Sequence, residues 1–98
     1  MSIKKEYRES KTGDLYTIRY EDEGTTWRAF AEQSPVNPYD KSPFKCHLYS
    51  SGELCVDRDK YNPRTFDQIK ACVFLWIEGY SHYIRKGVFP ATGGRVNV

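Results

Sequence analysis

Past Thr65 the apolar residues Ile69, Val73, Trp76, Ile77, Tyr80 and Ile84 recur at three- and four-residue steps, with Cys72 on the same side. That spacing predicts one long amphipathic helix, and so broad an apolar stripe must be covered by a sheet or by other helices. Thr65 offers a cap, Gln68 three residues later closes a capping box, and Gly87 ends the helix. Gly79 costs about 1 kcal/mol relative to Ala in mid-helix, so its presence marks a bend or a close approach to the sheet.

The covering surface is read from what comes before. Residues 15–20 alternate, with Tyr16, Ile18 and Tyr20 on one side and Leu15, Thr17 and Arg19 on the other. Residues 27–32 set Trp27, Ala29 and Ala31 against Arg28, Phe30 and Glu32, and a polar turn, Glu21-Asp22-Glu23-Gly24, joins the two strands. Residues 4–9 form a first strand, turned by Lys11-Thr12-Gly13. From 34 to 43 the chain holds prolines at 35, 38 and 43, which exclude regular strand or helix and imply an extended surface loop. The expectation is an α+β fold: an antiparallel meander of about four to five strands packed against one long C-terminal helix. At 98 residues the chain is one small domain, with a loose tail from about residue 91.

The richest stretch is Cys46-His47-Leu48-Tyr49-Ser50-Ser51-Gly52-Glu53-Leu54-Cys55-Val56-Asp57, which alternates on both sides of Ser50-Ser51-Gly52 and reads as a hairpin. Folded about Ser51, it pairs Tyr49 with Glu53, Leu48 with Leu54, His47 with Cys55 and Cys46 with Val56. Cys46, Leu48, Leu54 and Val56 make an apolar face. His47, Tyr49, Glu53, Cys55 and Asp57 share the other, where opposed residues have Cβ atoms about 4.5–5.5 Å apart. A thiolate is the working nucleophile, and a neighbouring imidazolium lowers a cysteine pKa, whereas the carboxylates of Glu53 and Asp57 oppose the thiolate. A half-exposed cysteine beside a histidine is also an ordinary structural arrangement.

Fifteen basic and 13 acidic residues are scattered along the chain and leave a net charge of +2, too little to attract phosphate backbones strongly. Tyr7, Arg8, Tyr16, Arg19 and Tyr20 could interleave on a sheet face to stack single-stranded bases, but cross-strand packing is the preferred reading and nucleic acid is disfavoured as a partner. No apolar run is long enough to span a bilayer and no signal peptide is evident, so no membrane partner and a cytoplasmic location are expected. Three cysteines form no secreted disulfide framework, and free thiols are expected. His82 reads as solvent-facing. No cofactor and no metal are expected, since His47, Cys55 and Asp57 give zinc only a remote trio.

The meander, the proline-rich loop, the string His47-x-Tyr49-x-x-Gly52-x-Leu54-Cys55, the cap, and a helix containing Trp76 followed by Gly87-x-Phe89-Pro90 together resemble the bacterial branch of the ubiquitin-conjugating enzyme fold, from about Leu15 to Gly94. The resemblance implies that Cys55 carries a modifier as a thioester, that His47 orients or supports the site, and that Tyr49, Glu53 and Asp57 line it. It also implies a ubiquitin-like modifier and its activating enzyme as partners. The competing expectation is a non-catalytic protein-interaction module with an unknown protein partner, which the eight tyrosines would suit. A homo-oligomer is compatible with either.

Overall fold

Alternation along one strand sets the architecture. In a computed structural model that describes residues 2–55 and 62–90, β1 (Ser2–Arg8), β2 (Leu15–Asp22) and β3 (Trp27–Gln33) form an antiparallel sheet in the order β1-β2-β3. Tyr16, Ile18 and Tyr20 of the central strand are all buried beneath α2 (Phe66–Lys86). The rings interlock edge to face: Tyr16 with Trp76 at 5.6 Å, Tyr20 with Phe66 at 4.8 Å, and Tyr7 with Phe74 at 5.2 Å. Burying a phenol requires a partner for its hydroxyl. Tyr16 finds Ser81 Oγ at 2.6 Å and Tyr20 finds the Tyr7 hydroxyl at 2.9 Å.

The opposite sheet face is charged and paired. Lys4 bonds Glu32 at 2.8 Å, and Arg19 reaches both Glu32 and Glu21 while lying 4.2 Å over the Phe30 ring. Tyr16 and Tyr20 therefore lie under the helix, whereas Arg19 is paired on the other face of the sheet.

α2 begins and ends where its sequence signals stand. Thr65 accepts the Gln68 N–H at 3.2 Å, and Gln68 Oε1 accepts the Thr65 N–H at 3.2 Å. Gly87 closes the helix in the left-handed region, its N–H on the Tyr83 carbonyl at 2.7 Å. The chain then folds back, so that Phe89 lies against Gly79. A Cβ at position 79 would stand 2.2 Å from Phe89 Cε1, so the close approach is to this ring and not to the sheet.

Among the described residues the expectation of four to five strands is corrected to three. Pro43–Cys46 forms one helical turn, α1, where a strand beginning at Cys46 was expected. Proline at the first helical position suits a turn, and His47 then reverses the chain with φ 57°, so the strand does not extend back to Cys46. What remains is two isolated bridges, Leu48↔Leu54 and Phe30↔Glu53. Through the second the hairpin lies along β3, with Ala31 N–H on the Gly52 carbonyl at 2.7 Å and Leu54 N–H on the Ala29 carbonyl at 2.9 Å. No helix among the described residues is long and apolar enough to cross a membrane.

The proline-rich loop is tied to the last turns of α2. Tyr83 donates its hydroxyl to the Asp40 carbonyl at 2.7 Å, and buried Asn37 bridges the Tyr39 N–H and the Asp40 carbonyl. Just beyond the loop, Trp76 Nε1 donates to the Cys46 carbonyl at 3.2 Å, fixing the entry to the hairpin.

Candidate functional site

The expected hairpin register is present between residues 47 and 55. Tyr49 N–H donates to the Glu53 carbonyl at 2.9 Å, Cys55 N–H to the His47 carbonyl at 3.0 Å, and Leu48 opposes Leu54. Gly52 makes the turn possible, since its φ of 95° lies where side chains are strained. Cys46 is buried as expected, but at the end of a helical turn instead of on a strand. Val56 and Asp57 lie outside the described residues.

All three cysteines are free thiols. Cys46 and Cys72 are buried at 2% and 3% exposure, while Cys55 is partly exposed, and this difference decides which thiol a reagent can meet. Burial pushes the Cys46 thiol pKa up. The Cys55 Sγ donates to the Tyr49 hydroxyl at 3.6 Å, and Tyr49 itself is exposed.

His47 shares the hairpin with Cys55 but directs its imidazole elsewhere. The ring meets Phe89 edge to face at 4.5 Å, and among the described residues it makes no hydrogen bond to the thiol. Burial there holds its pKa below the ordinary 6.5, so the imidazole is mainly neutral at pH 7. His47 is also the sole non-glycine residue with positive φ among the described residues, a conformation that costs on the order of 1 kcal/mol or more. Its N–H caps α1 on the Pro43 carbonyl at 3.0 Å.

Glu53 does not stand as an open charge beside the thiol. Arg28 Nη1 bonds its carboxylate at 2.7 Å, while Arg28 Nε holds Glu23 at 2.6 Å. The opposition to a thiolate expected from Glu53 is therefore offset by a guanidinium.

Two residues that sequence reasoning did not assign to the site contribute to it. Phe89 anchors His47, and the signal available was a mid-helix glycine paired with an aromatic just beyond the helix end. Arg28 compensates Glu53, and its signal was its outward position on the strand beside the hairpin. Comparison of the chain with protein-family models, with curated proteins and with solved structures finds no match.

Proposed function

We propose that this chain is a carrier of the ubiquitin-conjugating-enzyme kind, in which Cys55 holds an acyl group as a thioester and hands it to an amine. The observation that carries the reading is the contrast among the thiols: Cys55 reaches solvent beside the Tyr49 hydroxyl, whereas Cys46 and Cys72 are sealed in the core. The order of meander, loop, hairpin and helix supports it as well.

In loading, the Cys55 thiolate attacks the carbonyl carbon of a donor thioester, the donor's C–S bond breaks, and the donor leaves as its own thiolate. One thioester replaces another, so the exchange runs near equilibrium and depends on thiol access and leaving-group pKa. In discharge a neutral amine attacks the Cys55 thioester, Cys55 departs as thiolate, and the nitrogen loses a proton. Tyr49 is the hydroxyl at the sulfur. With its carbonyl on the Cys55 N–H and its ring on Phe89, His47 is a positioning residue that holds the thiol strand in place.

A glycine-ending peptide thioester offered to the full chain should add its acyl mass to Cys55 alone, and neutral hydroxylamine should remove it. Cys55→Ala should accept nothing. An adduct on Cys46 or Cys72, or none at all on Cys55, overturns the reading. The alternative of a non-catalytic interaction module is favoured by a different observation, the exposed apolar residues Val36 and Tyr39 on the loop before the hairpin and Phe44 on α1. It predicts that Cys55→Ala leaves every partner interaction intact.

A further inference from the structure

In an antiparallel pair, opposed residues alternate between those that exchange both backbone hydrogen bonds and those that exchange none. The bonds Tyr49 N–H to Glu53 and Cys55 N–H to His47 flank Leu48↔Leu54, which is therefore the pair that exchanges none. The N–H and C=O of Leu48 consequently point away from Leu54, toward the outer edge of the hairpin. Among the described residues that N–H meets no acceptor, and the carbonyl meets only the Cys46 thiol, at 3.8 Å.

This edge borders a groove of about 420 Å³, walled on the far side by Val36, Asn37 and Lys41 and lined also by Tyr49 and Tyr80. Its volume falls in the range of about 300–1,000 Å³ typical of ligand sites. Lys41 is the one charged residue among those lining it, and it makes no ion pair among the described residues. The neighbouring Asp40 carboxylate is occupied by the Ser42 N–H at 2.8 Å. The outward N–H of Leu48, the apolar side chains of Val36 and Leu48 and the cation of Lys41 together define the complement: extended backbone, an apolar side chain and an acidic group.

We infer that the groove between Leu48 and Lys41 binds an extended peptide segment, which adds a strand to the Leu48 edge and presents an acidic side chain to Lys41. Strand addition of this kind takes its affinity from main-chain hydrogen bonds and its selectivity from alternate side chains. The site does not depend on Cys55, so Cys55→Ala leaves it intact and failure of the carrier reading would not remove it.

The test uses the full, ¹⁵N-labelled chain and a capped hexapeptide alternating valine and threonine around one central glutamate. The Leu48 amide resonance should move downfield as it gains an acceptor, saturating in the millimolar range, together with that of Lys41. N-methylation of the central peptide bonds should weaken binding by about tenfold or more, because it removes main-chain donors. Lys41→Glu, an exposed change with little bearing on the fold, should weaken the glutamate peptide and favour a lysine-bearing one. An unmoved Leu48 amide at several millimolar, or equal binding of the N-methylated peptide, overturns the inference. Movement of the Leu48 amide on dilution of the protein alone overturns it too, since the occupant would then be a second copy of this chain.

Discussion

Phe89 fills the space that a side chain at Gly79 would need, its Cε1 lying 2.2 Å from where that Cβ would be. The same ring carries His47 on its edge, so the fold-back after α2 reaches the candidate site through one aromatic. Gly79→Ala should raise helix propensity by about 1 kcal/mol yet lose more than that by overpacking, which costs about 1–3 kcal/mol. In a Phe89→Ala background the same change should become neutral or stabilising. Urea denaturation of the four proteins in this cycle checks the reversal of sign.

Trp76 joins the sheet to the hairpin, packing edge to face on Tyr16 and donating to the Cys46 carbonyl at 3.2 Å. Trp76→Ala should cost about 3–5 kcal/mol. Trp76→Phe keeps most of the packing but leaves the carbonyl without its donor, a loss of about 1–3 kcal/mol. A thermal melt of Trp76→Phe close to that of the unaltered chain would show that the indole N–H contributes little.

An ion pair far from the hairpin contributes to acid behaviour. The Arg85 guanidinium, bonded to the Asp14 carboxylate at 2.6 and 2.9 Å, holds its pKa down from 3.8 to about 2. A depressed carboxylate contributes stability that is present above its unfolded pKa and lost as pH falls through its folded one. Asp14→Asn should therefore be less stable than the unaltered chain at neutral pH, and the gap should close between about pH 4 and pH 2. Urea midpoints measured across that window decide it.

Much of this arrangement was legible in the sequence because it rests on local rules. Thr65 and Gln68 name the start of α2 by their spacing, Gly87 its end, and the alternation of Tyr16, Ile18 and Tyr20 names the buried face of β2. The pairing of Leu48 with Leu54 follows from the turn at Gly52. Contacts between residues distant in sequence were not legible. Nothing local says that Phe89 returns to Gly79, that Arg28 takes Glu53, or that His47 turns its ring to Phe89. The strand count was overestimated because alternation before Leu48 continues through Cys46, while Pro43 and the reversal at His47 impose a helical turn there.

The thiols should separate sharply in reactivity. Iodoacetamide at neutral pH should label Cys55 first, with Cys46 and Cys72 following only on unfolding, because burial excludes reagent and raises the Cys46 pKa. A neutral imidazole facing Phe89 cannot supply the positive charge that lowers a thiol pKa. His47→Asn, which tolerates the left-handed backbone, should therefore leave the rate of Cys55 alkylation at neutral pH unchanged. Peptide mapping of the labelled sites gives the order, and a rate changed by His47→Asn would show that the imidazole acts on the sulfur after all.

Single-turnover discharge tests acyl carriage by Cys55 beyond mere exposure of a thiol. Chain loaded at Cys55 with a peptide acyl group and freed of donor is mixed with lysine at pH 8, and the transfer is followed by intact mass. The Cys55 thioester should be lost to peptidyl-lysine in a first-order process, faster than a glutathione thioester of the same peptide and slowed by Tyr49→Phe. Discharge no faster than from glutathione, with Tyr49→Phe without effect, would contradict it and leave Cys55 as an exposed structural thiol.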